Sequence, residues 1–288
     1  MFEAPDLSGR VAIVTGASRG IGRAVAIGLA KAGCAVVVAA RTERGSRLRP
    51  GSVHETVAAI AGSGGRASAA VADVRDAAQV GRLVADAVAR WGRLDIAVAN
   101  AGGLTQGDVV DTPVEAFDRV MAVNVRAAYA LAHHATPHLL AAGGGHFIAM
   151  APPLAPDGRL DATLELLAGR VAYAISKLGM TLLVRGLADE LAGRRVAAWA
   201  LWPSAAVASL ATAAHGIGAP ARWRRPEIVA DAVLALVARD PGEPSGQGLL
   251  DEEVLAAAGV RDLAPYQCEI GTAPLPLFGP GAPRPRSR

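Results

Sequence analysis

Short apolar runs rich in Val, Ile and Ala recur along the chain, separated by stretches whose apolar residues return every three or four positions. The runs are Arg10–Val14, Ala35–Ala39, Ala67–Val71, Asp95–Ala99, His146–Met150, Val196–Leu201 and Gly248–Leu250. They are continuous rather than alternating, the pattern of strands covered on both faces. Between them lie helical patterns at residues 24–29, Ala77–Trp91, Val114–Leu140, Ala172–Leu191 and Pro226–Ala238.

Strand-helix alternation of this kind predicts an α/β fold: one doubly wound parallel sheet of the Rossmann type, with helices on both faces and right-handed crossovers. Ligands of such sheets bind beyond the carboxyl ends of the strands. The polar clusters of this chain fall at those ends. Arg41 follows the second run, Asp73 the third, Asn100 the fourth, Pro152-Pro153 the fifth, and Ser204 to Ser209 the sixth.

Composition narrows the picture. The chain has 288 residues, 52% of them hydrophobic, enough for one large core over residues 1–270. Residues 271–288 are rich in Pro, Gly and Arg, have no periodicity, and read as a flexible tail, disordered or loosely wrapped. No apolar run reaches the ~18 residues of a membrane span, and no charged-then-apolar leader opens the chain. Cys34 and Cys268 stand apart, outside any metal-ligand spacing, and read as reduced thiols of a cytoplasmic protein. The histidines at 133, 134, 138 and 146 offer no ligand arrangement, so no metal is expected. The net charge of +3 is concentrated in Arg41 to Arg49, Arg222 to Arg225 and the tail, and aromatics are 4%. A nucleic-acid groove wants a basic stripe interleaved with aromatics, so nucleic acid is not an expected partner.

Two local patterns carry chemistry. Val11-Ala12-Ile13-Val14 runs into Thr15-Gly16-Ala17-Ser18-Arg19-Gly20-Ile21-Gly22 and then a helical pattern. A strand, a glycine turn and a helix N-terminus in that order present unpaired N–H groups and a positive dipole end to a phosphate. Glycine at 16, 20 and 22 removes Cβ atoms where backbone must turn or approach closely. The second pattern is Tyr173 with Lys177 in Val-Ala-Tyr-Ala-Ile-Ser-Lys-Leu. Four residues apart on a helix, the two side chains share a face, about 5–6 Å apart at Cβ. A neighbouring ammonium favours a phenolate, so Lys177 is expected to lower the pKa of Tyr173 and make it a proton donor or acceptor.

Together these residues resemble the short-chain dehydrogenase/reductase family. The matching pieces are the glycine turn, Asp73-Val74, Ala99-Asn100-Ala101-Gly102, Asn124 in Val-Asn-Val, and Tyr173 with Ser176-Lys177, over about residues 8–260. Pro152-Pro153-Leu154, Leu201-Trp202-Pro203 and Leu250-Asp251-Glu252 bring the likeness nearest to the hydroxysteroid dehydrogenase-like branch. The resemblance implies a nicotinamide cofactor held by Gly16, Ser18, Arg19, Gly20, Ile21 and Gly22 at the pyrophosphate and by Asp73 and Val74 at the adenine. Asn100, Ala101 and Gly102 would support the cofactor edge, with Pro203 and Ser209 near the carboxamide. Tyr173 would be the acid/base, Lys177 its activator and ribose ligand, and Asn124 the anchor of a water in the proton relay. Arg41 and Arg19 near the adenosine ribose favour a 2′-phosphate, which points to NADP.

The implied function is NADP-dependent hydride exchange with an alcohol, ketone or aldehyde of a mostly apolar small molecule. In the family it resembles, the helices corresponding to 114–140 and 172–191, here with apolar outer faces at Ala127, Ala130 and Leu131, build a dimer or tetramer interface, so the resemblance implies a homo-oligomer. One departure stands out. Relatives place a serine just past the fifth strand, and this chain reads Met150-Ala151-Pro152. An insert at residues 155–170 offers Thr163 as a substitute hydroxyl, otherwise a residue in the first turn of a short helix at 161–167. The alternative function is a cofactor-binding or non-redox biosynthetic protein that kept the fold after losing the serine.

Overall fold

The structure, a computed structural model, describes residues 2–48, 50–153 and 169–277. Leu154 and the insert positions, Thr163 among them, lie outside the described residues. Seven strands form one sheet: β1 (Val11–Thr15), β2 (Ala35–Ala40), β3 (Arg66–Val71), β4 (Ile96–Ala99), β5 (Gly145–Met150), β6 (Val196–Trp202) and β7 (Gly248–Leu250). Their order is β3-β2-β1-β4-β5-β6-β7 and every pairing is parallel. The order reverses between β1 and β4, where the crevice of such a sheet opens.

The helices are α1 (Gly20–Lys31), α2 (Val53–Gly62), α3 (Ala77–Trp91), α4 (Val114–Met121), α5 (Ala127–Ala141), α6 (Val171–Glu190), α7 (Leu210–Ala214), α8 (Glu227–Val237) and α9 (Asp251–Ala257). Because successive strand residues point to opposite faces, the continuous apolar runs feed two cores. Ala12, Val14, Val36 and Val38 pack with Val25 and Leu29 of α1 and Val229 and Val233 of α8. Ile13, Ala97, Phe147 and Ala198 pack with Leu83 of α3, Leu131 of α5 and Met180 and Val184 of α6. Helix α6 is long and apolar enough to cross a membrane by length and composition, but it packs along β5 and β6, with Met180 and Val184 fully buried.

Three sequence expectations change. The helical stretch 114–140 is not one α-helix, because a π-helical turn at Ala122–Arg126 separates α4 from α5. The widened turn falls on Asn124, and such bulges gather at functional positions. Second, Ala127, Ala130 and Leu131 face inward, at 6%, 7% and 1% exposure; the outward apolar residues are Tyr129 on α5 and Ile175 and Leu182 on α6. Third, the stretch read as a tail from residue 271 is docked over its first residues: the Leu275 N–H donates to Arg222 O and the Leu277 N–H to Ser204 O, at 2.8 and 2.9 Å.

Candidate active site

The glycine turn is stapled to β4 by side chains. Thr15 Oγ1 donates to Val98 O and accepts from the N–H groups of Asn100 and Ala101, all at 3.1 Å. Asn100 Nδ2 donates to Thr15 O at 2.8 Å and to Gly16 O at 3.4 Å. This packing fixes two of the glycines. A Cβ on Gly16, whose φ is +67°, would lie 2.8 Å from Ala101 Cα. One on Gly22 would meet Asn100 Nδ2 and lie 2.6 Å from Gly16 O. At Gly20, φ +54°, a Cβ would lie 3.5 Å from Ser209 Cβ, an ordinary contact, so the positive φ rather than crowding favours glycine there.

The start of α1 behind this turn has no side-chain cap and no acidic residue in its first turn. Its leading N–H groups are therefore open to an anion. An uncapped helix N-terminus beside a cradle without Cβ atoms fits a pyrophosphate. Ser18 is buried, Ile21 half-buried, and Ala101 and Gly102 border the cradle on the β4 side.

Beyond β2 lie the groups that the sequence set beside an adenosine. Arg19 donates through Nε to Pro50 O at 2.8 Å and through Nη2 to Gly51 O at 2.9 Å and Thr42 Oγ1 at 3.1 Å. It thereby ties the 42–51 loop to the glycine turn. Arg41 projects outward, its side chain 60% exposed, with Nη1 3.9 Å from Asp73 Oδ2. The Asp73 carboxylate is gripped by Arg75 through Nε and Nη2, the latter at 2.6 Å. This fork holds Asp73 below the usual carboxylate range. Val74 is buried behind it against Val80 and Leu83.

The third group lies where α6 passes the ends of β5 and β6. Lys177 is 4% exposed and donates from Nζ to Met150 O at 2.8 Å. Its Nζ lies 6.0 Å from the centre of the Tyr173 ring and 5.4 Å from that of Trp202. The Tyr173 and Trp202 rings are 6.5 Å apart, tilted at 48°. Asn124 is fully buried and committed: Nδ2 donates to Ser176 Oγ at 2.8 Å and Gly103 O at 3.0 Å, while Oδ1 accepts from the Gly103 N–H. Ser176 Oγ donates onward to Tyr173 O at 2.7 Å. The π turn, the loop after β4 and the Tyr173 helix are thus held as one unit.

The electrostatics correct one expectation. Burial pushes the Tyr173 phenol up, opposed only by Arg170, rather than Lys177 drawing it down. Burial also lowers the Lys177 ammonium to about 7. Both shifts have one cause. Desolvation disfavours each charged form, and an amine that loses its charge cannot stabilise a phenolate. Burial shifts each member of the pair toward its neutral form.

Past β6, Ser209 is a helix cap whose Oγ accepts from the Thr212 N–H at 3.0 Å and shares a hydrogen bond with Thr212 Oγ1 at 2.7 Å. Pro203 is buried, and the next residue is held from below: Asp251 Oδ1 accepts from the N–H groups of Ser204 and Glu252 at 2.9 and 2.8 Å. Four contributors were missed as site residues: Thr15, Ser176, Trp202 and Asp251. Thr15, at the last strand position before the glycine turn, was the one legible from order alone.

Residues 10–215 match the family described as short chain dehydrogenase. The chain is 34% identical over 273 residues to hydroxysteroid dehydrogenase-like protein 2 of Danio rerio, covering 94% of this chain and 64% of that protein's length. A short chain dehydrogenase structure from Mycobacterium thermoresistibile is 33% identical, covers 97% of this chain and 98% of its own, and superposes with TM-score 0.85. A metagenomic short-chain oxidoreductase in complex with NADP is 30% identical, covers 85% and 97%, and has TM-score 0.68.

Proposed function

We propose that this chain, which belongs to the short-chain dehydrogenase family, is an NADP-dependent oxidoreductase that interconverts a carbonyl and an alcohol on a mostly apolar small molecule. The observation that carries this reading is Tyr173 beside Lys177 at the end of β5, on the same crevice as the uncapped, glycine-lined start of α1. A bound nicotinamide supplies hydride chemistry there. Tyr173, protonated at neutral pH, donates to the oxygen of the substrate as charge develops on it. Lys177 binds the ribose beside it. Asn124 holds the Gly103 loop and Ser176 in register, so that the phenol is presented from a fixed helix. Ala101, Gly102 and Pro203 shape the cofactor wall.

The preference for NADP rests on Arg41 and Arg19, since Arg41 with Thr42, rather than an acidic residue, stands immediately after β2. Arg41→Ala is expected to weaken NADPH binding roughly tenfold, the worth of a charge-assisted hydrogen bond, and to leave NADH within about twofold. Calorimetric titration reads this; equal affinity of the unaltered protein for NADH and NADPH would contradict it.

The chain spans 64% of the length of the zebrafish relative, so the reading is of this chain alone. The alternative, a cofactor-binding protein without redox activity, has one observation in its favour, the methyl group at Ala151. NADPH binding without oxidation across a panel of ketones and aldehydes would establish it.

Tyr129 and Leu182, at 61% and 62% exposure on adjoining helices, are the surface on which two copies associate. Light scattering on the paired variant Tyr129→Glu/Leu182→Glu is expected to give a monomer from an oligomeric parent. A monomeric parent would refute this.

A further inference from the structure

The residue at 151 continues β5: its N–H donates to Leu201 O at 3.0 Å. In the β5–β6 register Met150 pairs with Leu201, so the next pair along is Ala151 and Trp202. Side chains paired across a ladder leave the sheet on the same face. That face is the one covered by α6, since Ala149, Ala151, Ala198 and Ala200 share a core with Met180 and Val184. Past the fifth strand, where the family resemblance implies a serine, the chain reads Ala151-Pro152, and the large Trp202 ring stands beside Ala151, 6.5 Å from the Tyr173 ring.

That ring carries an unused donor. Trp202 is 7% exposed, and its Nε1 is buried with no acceptor. The other three tryptophans behave differently. Trp91 Nε1 donates to Ser68 Oγ at 3.4 Å, Trp199 Nε1 to His146 Nδ1 at 3.4 Å, and Trp223 Nε1 to Ile217 O at 2.6 Å. An indole N–H can only donate, and leaving one buried and unpaired costs about 1–3 kcal/mol. Of the five buried side-chain atoms without a partner among the described residues, Trp202 Nε1 is the one on a ring packed beside Tyr173, and such a group needs an explanation, a catalytic role among them.

We propose that the Trp202 indole N–H is the hydrogen-bond donor to the substrate oxygen, in the role that a hydroxyl at position 151 would otherwise fill. The proposal rests on the oxidoreductase reading above. It assigns Trp202 to the oxygen that receives the Tyr173 proton, with the methyl of Ala151 leaving room for the ring. The covalent chemistry is unchanged; only the donor that stabilises developing negative charge is new. Lys177 Nζ lies 5.4 Å from the centre of the same ring.

The test is Trp202→Phe, which keeps an aromatic face and removes the N–H, measured with NADPH and a panel of ketones and aldehydes. A lost oxyanion donor lowers kcat by about 10²–10³-fold, while NADPH affinity and melting temperature stay near those of the parent. Ala151→Ser added to Trp202→Phe returns at least about tenfold of the lost kcat, which repacking alone would not do. Parental kcat in Trp202→Phe overturns the proposal and leaves the oxidoreductase reading standing. So does a kcat loss that Ala151→Ser fails to restore. A parent protein that binds NADPH and reduces nothing on the panel overturns both.

Discussion

Tyr173→Phe is expected to abolish carbonyl reduction, by about 10³-fold or more in kcat, while the protein still binds NADPH. The phenol is the proton source of the proposed site, and burial keeps it protonated at neutral pH. Its removal takes away one oxygen and leaves the rest in place: Ser176 Oγ bonds the Tyr173 backbone carbonyl, not the ring hydroxyl, and Lys177 rests on Met150 O. The loss therefore falls on kcat rather than on folding or cofactor affinity. Steady-state NADPH oxidation and a binding titration on the same preparation separate the two. Retained turnover would assign the proton to another group.

Gly22→Ala is the second large effect. In an exposed helix, exchanging glycine for alanine gains about 1 kcal/mol. Here the new methyl would press on the Asn100 amide and lie 2.6 Å from Gly16 O. It would displace the bonds from Asn100 Nδ2 to Thr15 O and Gly16 O that join β1 to β4. Overpacking of this kind costs about 1–3 kcal/mol, and loss of the half-buried Asn100 amide's bonds adds about 1 kcal/mol, so steric loss outweighs the propensity gain. A melting temperature lower by roughly 5–15 °C is expected, together with loss of NADPH binding. A variant as stable as the parent would show that the turn does not need this close approach.

The five inner strands were legible because they are buried on both faces, so each reads as a nearly unbroken apolar run. Parallel pairing then followed from the alternation with helices, while strand order and register came from the structure. The 114–141 region was not legible to the same degree. Alanines at 127, 128 and 130 give little contrast between inner and outer faces, so the helical phase was misjudged. The π turn at Ala122–Arg126 has no hydrophobic signature of its own. Helix α2 escaped notice between the Arg-rich loop and β3, although Ser52 caps it by accepting from the Glu55 N–H at 3.1 Å.

At the site, motifs located Tyr173, Lys177, Asn124 and the glycines on one crevice, because their spacing is fixed by local geometry. The charge state of the pair was beyond the sequence. It depends on how much protein covers both groups, and covering the amine weakens the field that was to act on the phenol. Trp202 was hidden for a related reason. It becomes a neighbour of Ala151 only through the β5–β6 register, about fifty positions along the chain.

The most direct test of the account follows the hydrogen itself. NADPH deuterated at the donating carbon of its nicotinamide is incubated with the protein and a reducible ketone, and the alcohol is analysed by mass spectrometry. One deuterium on the carbinol carbon is predicted, with none transferred by Tyr173→Phe. Tight NADPH binding with no labelled alcohol from any carbonyl compound on the panel would contradict the account.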